Sequence, residues 1–125
     1  MSRFLGQVQT IMIIERINYL EYTLKMNNED IRVIVNAVKY VIENLNEELS
    51  IRTGFSIKEY ENLINKINGN NLKNHSFAKE EVVMIHQAFN EVCNGVFIND
   101  FEQEIGLPLF EVKKMLESLD KALDD

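Results

Sequence analysis

LGQVQTIMIIERINYLEYTLKM, residues 5–26, is the segment on which the fold class turns. Val8, Ile11, Met12, Ile14, Ile17, Leu20 and Leu24 fall near helical spacing, while Val8, Thr10, Met12 and Ile14 also alternate as a strand would. Taken as a helix from about Leu5 to Met26, it makes the chain all-α, because residues 27–125 are either helically spaced or turn-like. The expectation is then a single compact multi-helix domain of about five or six helices spanning residues 1–125.

Outward from this segment the helical signals are strong. Asn27-Asn28 break the pattern. Asn28 is the expected N-cap of a second helix, with Glu29 and Asp30 in the first turn, where the macrodipole favours negative charge. Ile31, Ile34, Val35, Val38, Val41, Ile42, Leu45 and Leu49 form one apolar stripe that must face a core. The pattern predicts an unbroken helix to about Thr53, closed by Gly54 as a left-handed C′ residue. Ser56 and Glu59 have capping-box spacing, with Ile57, Tyr60, Leu63, Ile64 and Ile67 on one face and a stop at Gly69.

Residues 68–76, rich in Asn and Gly, read as the one extended loop, dividing a neutral N-terminal part from an acidic C-terminal part. A fourth helix is expected from about Ala78 to Asn94, capped by Ser76 and stopped by Gly95. Val96-Phe97-Ile98 reads as a short apolar link. A brief helix from Phe101 to Ile105 then ends at Gly106, and Pro108 opens a last helix carrying Leu109, Val112, Met115, Leu116, Leu119 and Leu123. The tail Asp124-Asp125 is expected to fray.

Charge supports the same division. Residues 1–75 carry nine Lys or Arg and nine Asp or Glu, whereas residues 76–125 carry four and eleven, so the whole net charge of −7 arises in the last fifty residues. A negative field of that kind repels phosphate backbones and anionic headgroups, which points away from nucleic acid and membranes and toward a basic protein surface. The lone Cys93 forms no internal disulfide, and the apolar run from Ile11 to Ile14 is too short for a signal core or a span of roughly 20 residues. A cytoplasmic protein is the expectation.

Reactive constellations are missing from the sequence. The five glycines stand alone as helix punctuation, and His75 and His86 have no partner at metal-ligand spacing. Cys93 and His86, seven residues apart on one helix, are separated by about 10 Å along the axis. Adjacent carboxylates such as Glu80-Glu81 and Glu47-Glu48 point to different sides of a helix. No catalytic residue, metal site or cofactor is expected, and the chain reads as a binding protein, not an enzyme.

Residues 101–107 followed by 108–119 resemble a helix-turn-helix. The second helix offers Glu111, Glu117 and Asp120 beside Lys113, Lys114 and Lys121, without Arg, Asn or Gln to read bases, so the motif is expected to act as a packing unit. The run from Phe89 to Gly95, then Asp100-Phe101-Glu102 and Ile105-Gly106 before an amphipathic helix, resembles small bacterial immunity proteins encoded beside polymorphic or contact-dependent-inhibition toxins. The resemblance covers residues 76–123. Ala78 and Pro108 depart from it, standing where Ser or Thr would more usually start a helix.

That resemblance implies an antitoxin-like protein that binds one toxin domain, in many cases a nuclease with a basic cleft, and blocks its active site. The partner-binding residues expected are Asp100, Glu102, Glu104, Glu111 and Glu117. A helical regulatory or adaptor module, monomeric or dimeric through the first helix, is the alternative reading. A helix-turn-helix DNA-binding regulator is a further one.

Overall fold

The computed structural model describes residues 12–69 and 74–124. In chain order its elements are β1 (Ile13–Asn18), β2 (Glu21–Lys25), α1 (Asn28–Leu45), α2 (Leu49–Thr53), α3 (Ile57–Asn68), β3 (Asn74–Ala78), α4 (Lys79–Asn90), α5 (Phe101–Ile105) and α6 (Leu109–Asp124). A 3-10 turn, Asn46–Glu48, joins α1 to α2, and one turn of π-helix, Glu91–Gly95, follows α4. The all-α expectation is overturned. The fold is mixed α/β, with helices against a three-stranded antiparallel sheet of order β1-β2-β3.

The error lies within residues 5–26. Tyr22, Leu24 and Met26 are buried while Glu21 and Lys25 are exposed, which is period two. Ile14 pairs with Leu24 and Arg16 with Tyr22, and Tyr22 pairs in turn with Phe77 of β3. Leu20, which helical spacing put in the core, is 64% exposed at the hairpin turn. Asn18 makes that turn: its side-chain oxygen accepts the Leu20 backbone N–H at 2.9 Å. Of the residues behind the helical reading, Val8 and Ile11 lie outside the described residues.

Further corrections concern the helix boundaries. The expected loop contains the start of β3, and its residues 70–73 lie outside the described ones. Ser76 belongs to β3, where its hydroxyl donates to Glu21, and the N-cap position of α4 is Ala78. α4 begins instead after Ala78, whose backbone N–H donates to Glu81. The cap of α1 is Asn27, not Asn28. Its side chain accepts the Asp30 N–H at 2.7 Å while the Asp30 carboxylate accepts the Asn27 N–H at 3.1 Å, a capping box with Asp30 fully buried. The expected helix to Thr53 breaks at Asn46, which has φ +48°.

Other readings hold. Ser56 and Glu59 form their box at 3.1 and 2.9 Å, Gly54 closes α2 at φ +88°, and α5 ends at Gly106. α1 is the central strut: Val33, Ile34, Ala37, Val38 and Val41 are fully buried, and α3, α4 and α5 pack on it. The other side of α4 meets α6, and α6 reaches the β1 edge of the sheet.

Candidate protein-docking surface

α5 is only five residues long, too short to persist alone, so tertiary contacts must hold it. Ile105 and Leu107 are buried, Phe101 is half-buried, and Asn36 of α1 donates its side-chain amide to the Ile105 carbonyl at 2.9 Å. That bond satisfies one of the carbonyls a helix end leaves unpaired. Gly106 turns the chain at φ +114°, a backbone conformation that favours glycine, while a Cβ there would meet Val33 Cγ2 of α1 only in ordinary contact at 3.4 Å.

This anchoring turns Asp100, Glu102 and Glu104 outward. All three are exposed, and no ion pair involves them among the described residues. Glu104 also borders a shallow depression of about 180 Å³ with Asn36, Lys39, Tyr40 and Glu43. Around α5 the chain is anionic: between Lys79 and Lys113 there is no Lys or Arg, and there are seven carboxylates. Three of the seven are withdrawn. Glu81 pairs with Lys66 at 2.7 Å, Glu91 with Arg52 at 2.6 Å, and Glu111 is 7% exposed in the first turn of α6.

The five carboxylates expected at the site therefore separate. Asp100 immediately precedes α5, and Glu102 and Glu104 lie on it. Glu111 is buried at the start of α6, and Glu117 is exposed on an outward α6 face that also carries Lys113, Lys114 and Lys121. The sequence reading missed the apolar members of the surface: Phe97 is 86% exposed and Phe110 60%, with Leu109 beside it. Val96 and Ile98 are half-buried, so the alternation of an extended link turns Phe97 out, a signal present in Val96-Phe97-Ile98.

The titratable groups elsewhere hold the scaffold together. His86 of α4 pairs with Asp120 of α6. Arg52 meets Glu91 as a charge contact without an aligned hydrogen bond, and Gly95 closes over it: a Cβ there would lie 2.2 Å from the Glu91 carboxylate oxygen. Burial, assisted by the Glu91 charge, pushes the Tyr60 phenol up to about 12, and its hydroxyl donates to the Met84 carbonyl at 2.9 Å. Burial likewise pushes the Cys93 thiol up to about 11, against a smaller opposing effect from Lys113. A thiol so shifted is a weak nucleophile near neutral pH.

Among the described residues no cluster of His, Cys, Asp and Glu is arranged to hold a metal ion, and no helix is long and apolar enough to cross a membrane. α5, Gly106 and α6 follow one another in the order of a helix-turn-helix. No family model, curated protein or solved structure matches the chain.

Proposed function

We propose that this chain is a cytoplasmic immunity-type protein that binds the basic surface of a bacterial toxin domain and occludes its active site. The observation that carries the reading is α5 and the residue before it: exposed carboxylates at Asp100, Glu102 and Glu104 around a helix anchored to the core, in a stretch free of Lys and Arg. Rigid presentation matters because charges fixed before encounter raise association rate and reject partners of the wrong sign. The resemblance of residues 76–123 to immunity proteins supports the toxin as the partner. Because Glu111 is buried, the contact set is Asp100, Glu102 and Glu104, with Glu117 at its margin.

The test is coexpression with the toxin domain proposed as the partner. The wild-type chain is expected to protect cells and to copurify with the toxin, and reversing Asp100, Glu102 and Glu104 to Lys is expected to abolish both. Full protection by the triple variant would refute the reading.

A second reading, an adaptor that docks through its hairpin, is favoured by one observation: Ile17, Tyr19 and Leu20 are exposed together. A duplex-reading role has less support, since the exposed side chains of α6 mix Lys113, Lys114 and Lys121 with Glu117 and Asp120.

A further inference from the structure

Phe97 has no role in the fold that a polar residue could not fill. Val96 and Ile98 on either side reach the core, and the ring between them projects into solvent. α6 repeats the arrangement: Val112, Met115, Leu116 and Leu119 make its buried stripe, while Leu109 and Phe110 stand outside it in the first turn. The two sites are joined through the π-turn and α6. The π-turn Glu91–Gly95, two residues before Phe97, packs against α6, and Lys113, one turn on from Leu109, is close enough to act electrostatically on Cys93.

Between Phe97 and Phe110 the chain carries Asp100, Glu102 and Glu104 and no cation, while Lys114 of α6 places its ammonium 5.7 Å from the Phe110 ring centroid and Lys39 of α1 borders the depression beside Glu104. Exposed aromatic rings flanking fixed carboxylates match the anatomy of a binding centre, in which buried aromatics carry most of the binding energy and surrounding groups exclude water. Charge complementarity then selects the occupant.

We infer that Phe97 and Phe110 insert into apolar depressions on a protein partner whose rims present Lys or Arg to Asp100, Glu102 and Glu104. The inference rests on the antidote reading and assigns the roles within it. The rings set how long the complex lasts and the carboxylates set how fast it forms. Removing water around the rings also strengthens each charge pair at the margin, because the local dielectric falls.

The experiment measures association and dissociation rates, at several salt concentrations, between the purified chain and the toxin domain proposed as its partner. Phe97→Ala and Phe110→Ala are each expected to speed dissociation about tenfold or more while association changes less than about twofold. Asp100→Lys, Glu102→Lys and Glu104→Lys together are expected to slow association and flatten its salt dependence. Circular dichroism melting of Phe97→Ala should superimpose on wild type, so a lost complex is not a lost fold. If the wild-type complex forms and the double aromatic variant dissociates at the wild-type rate, the inference is overturned while the antidote reading stands. If wild type does not bind at all, both fall.

Discussion

Among the described residues, large apolar side chains reach solvent mainly at two places, and the two differ in charge. The β1-β2 hairpin exposes Ile13, Ile17, Tyr19 and Leu20 beside Glu15, Arg16, Glu21 and Lys25, which cancel. The excursion between the π-turn and α6 exposes Phe97, Leu109 and Phe110 with Asp100, Glu102 and Glu104 and has no cation of its own, with Lys39 of α1 beside Glu104 and Lys114 of α6 over the Phe110 ring. An apolar patch without net charge has no long-range means of choosing a partner, whereas one set among like charges does. The hairpin also discourages its own dimer: twofold antiparallel pairing centred on Glu15 or on Arg16 sets like charges opposite each other.

Substitutions probe this contrast from both sides. The largest effect is expected in the sheet core, where Leu24→Ala removes a fully buried side chain and should cost about 2–5 kcal/mol in denaturant unfolding. A cost under about 1 kcal/mol would mean that the hairpin is only loosely joined to the core. Next is the support behind the acidic excursion. Gly95→Ala drives a Cβ against the Glu91 carboxylate and should displace it from Arg52, costing roughly 1–3 kcal/mol by the same measurement. Asn36→Ala, which frees the Ile105 carbonyl, should cost about 1 kcal/mol and speed amide exchange in α5 more than in the hairpin.

Alkaline pH gives a smaller, graded effect. Tyr60 and Cys93 are acids whose folded-state values, about 12 and about 11, lie above their ordinary values of 10.0 and 9.0, so the folded state holds its protons more tightly than the unfolded state. The stability they contribute is fully present below pH 9 and is lost as pH rises toward 11 for the thiol and 12 for the phenol. Melting temperature should therefore fall above pH 9, and Cys93→Ala should flatten the first part of that fall. Smallest of all, Phe97→Ala and Tyr19→Ala should each change stability by less than about 0.5 kcal/mol, since both side chains already stand in water.

The sequence shows the two regions unequally. α3 is legible because its box residues, Ser56 and Glu59, and its stripe from Tyr60 to Ile67 are local signals that the tertiary structure has no reason to override. α5 and its glycine stop are legible for the same reason. The hairpin is not, because closely spaced Ile and Leu satisfy both periods and the deciding partner of Tyr22 is Phe77, fifty-five positions away in the chain. β3 hides in an Asn-rich stretch whose strand character comes from pairing with β2. Of the candidate surface, the carboxylates could be read from charge alone. Burial of Glu111 and exposure of Phe97 depend on how α6 and the link seat on the core, which charge counting does not register.

Amide hydrogen exchange, compared between the free chain and its complex with the toxin domain proposed as its partner, decides whether the acidic excursion is the docking surface. Slower exchange at 97–106, with the hairpin amides at 13–25 unchanged, is the outcome expected. Slower exchange confined to the hairpin would contradict it and assign recognition to the uncharged patch.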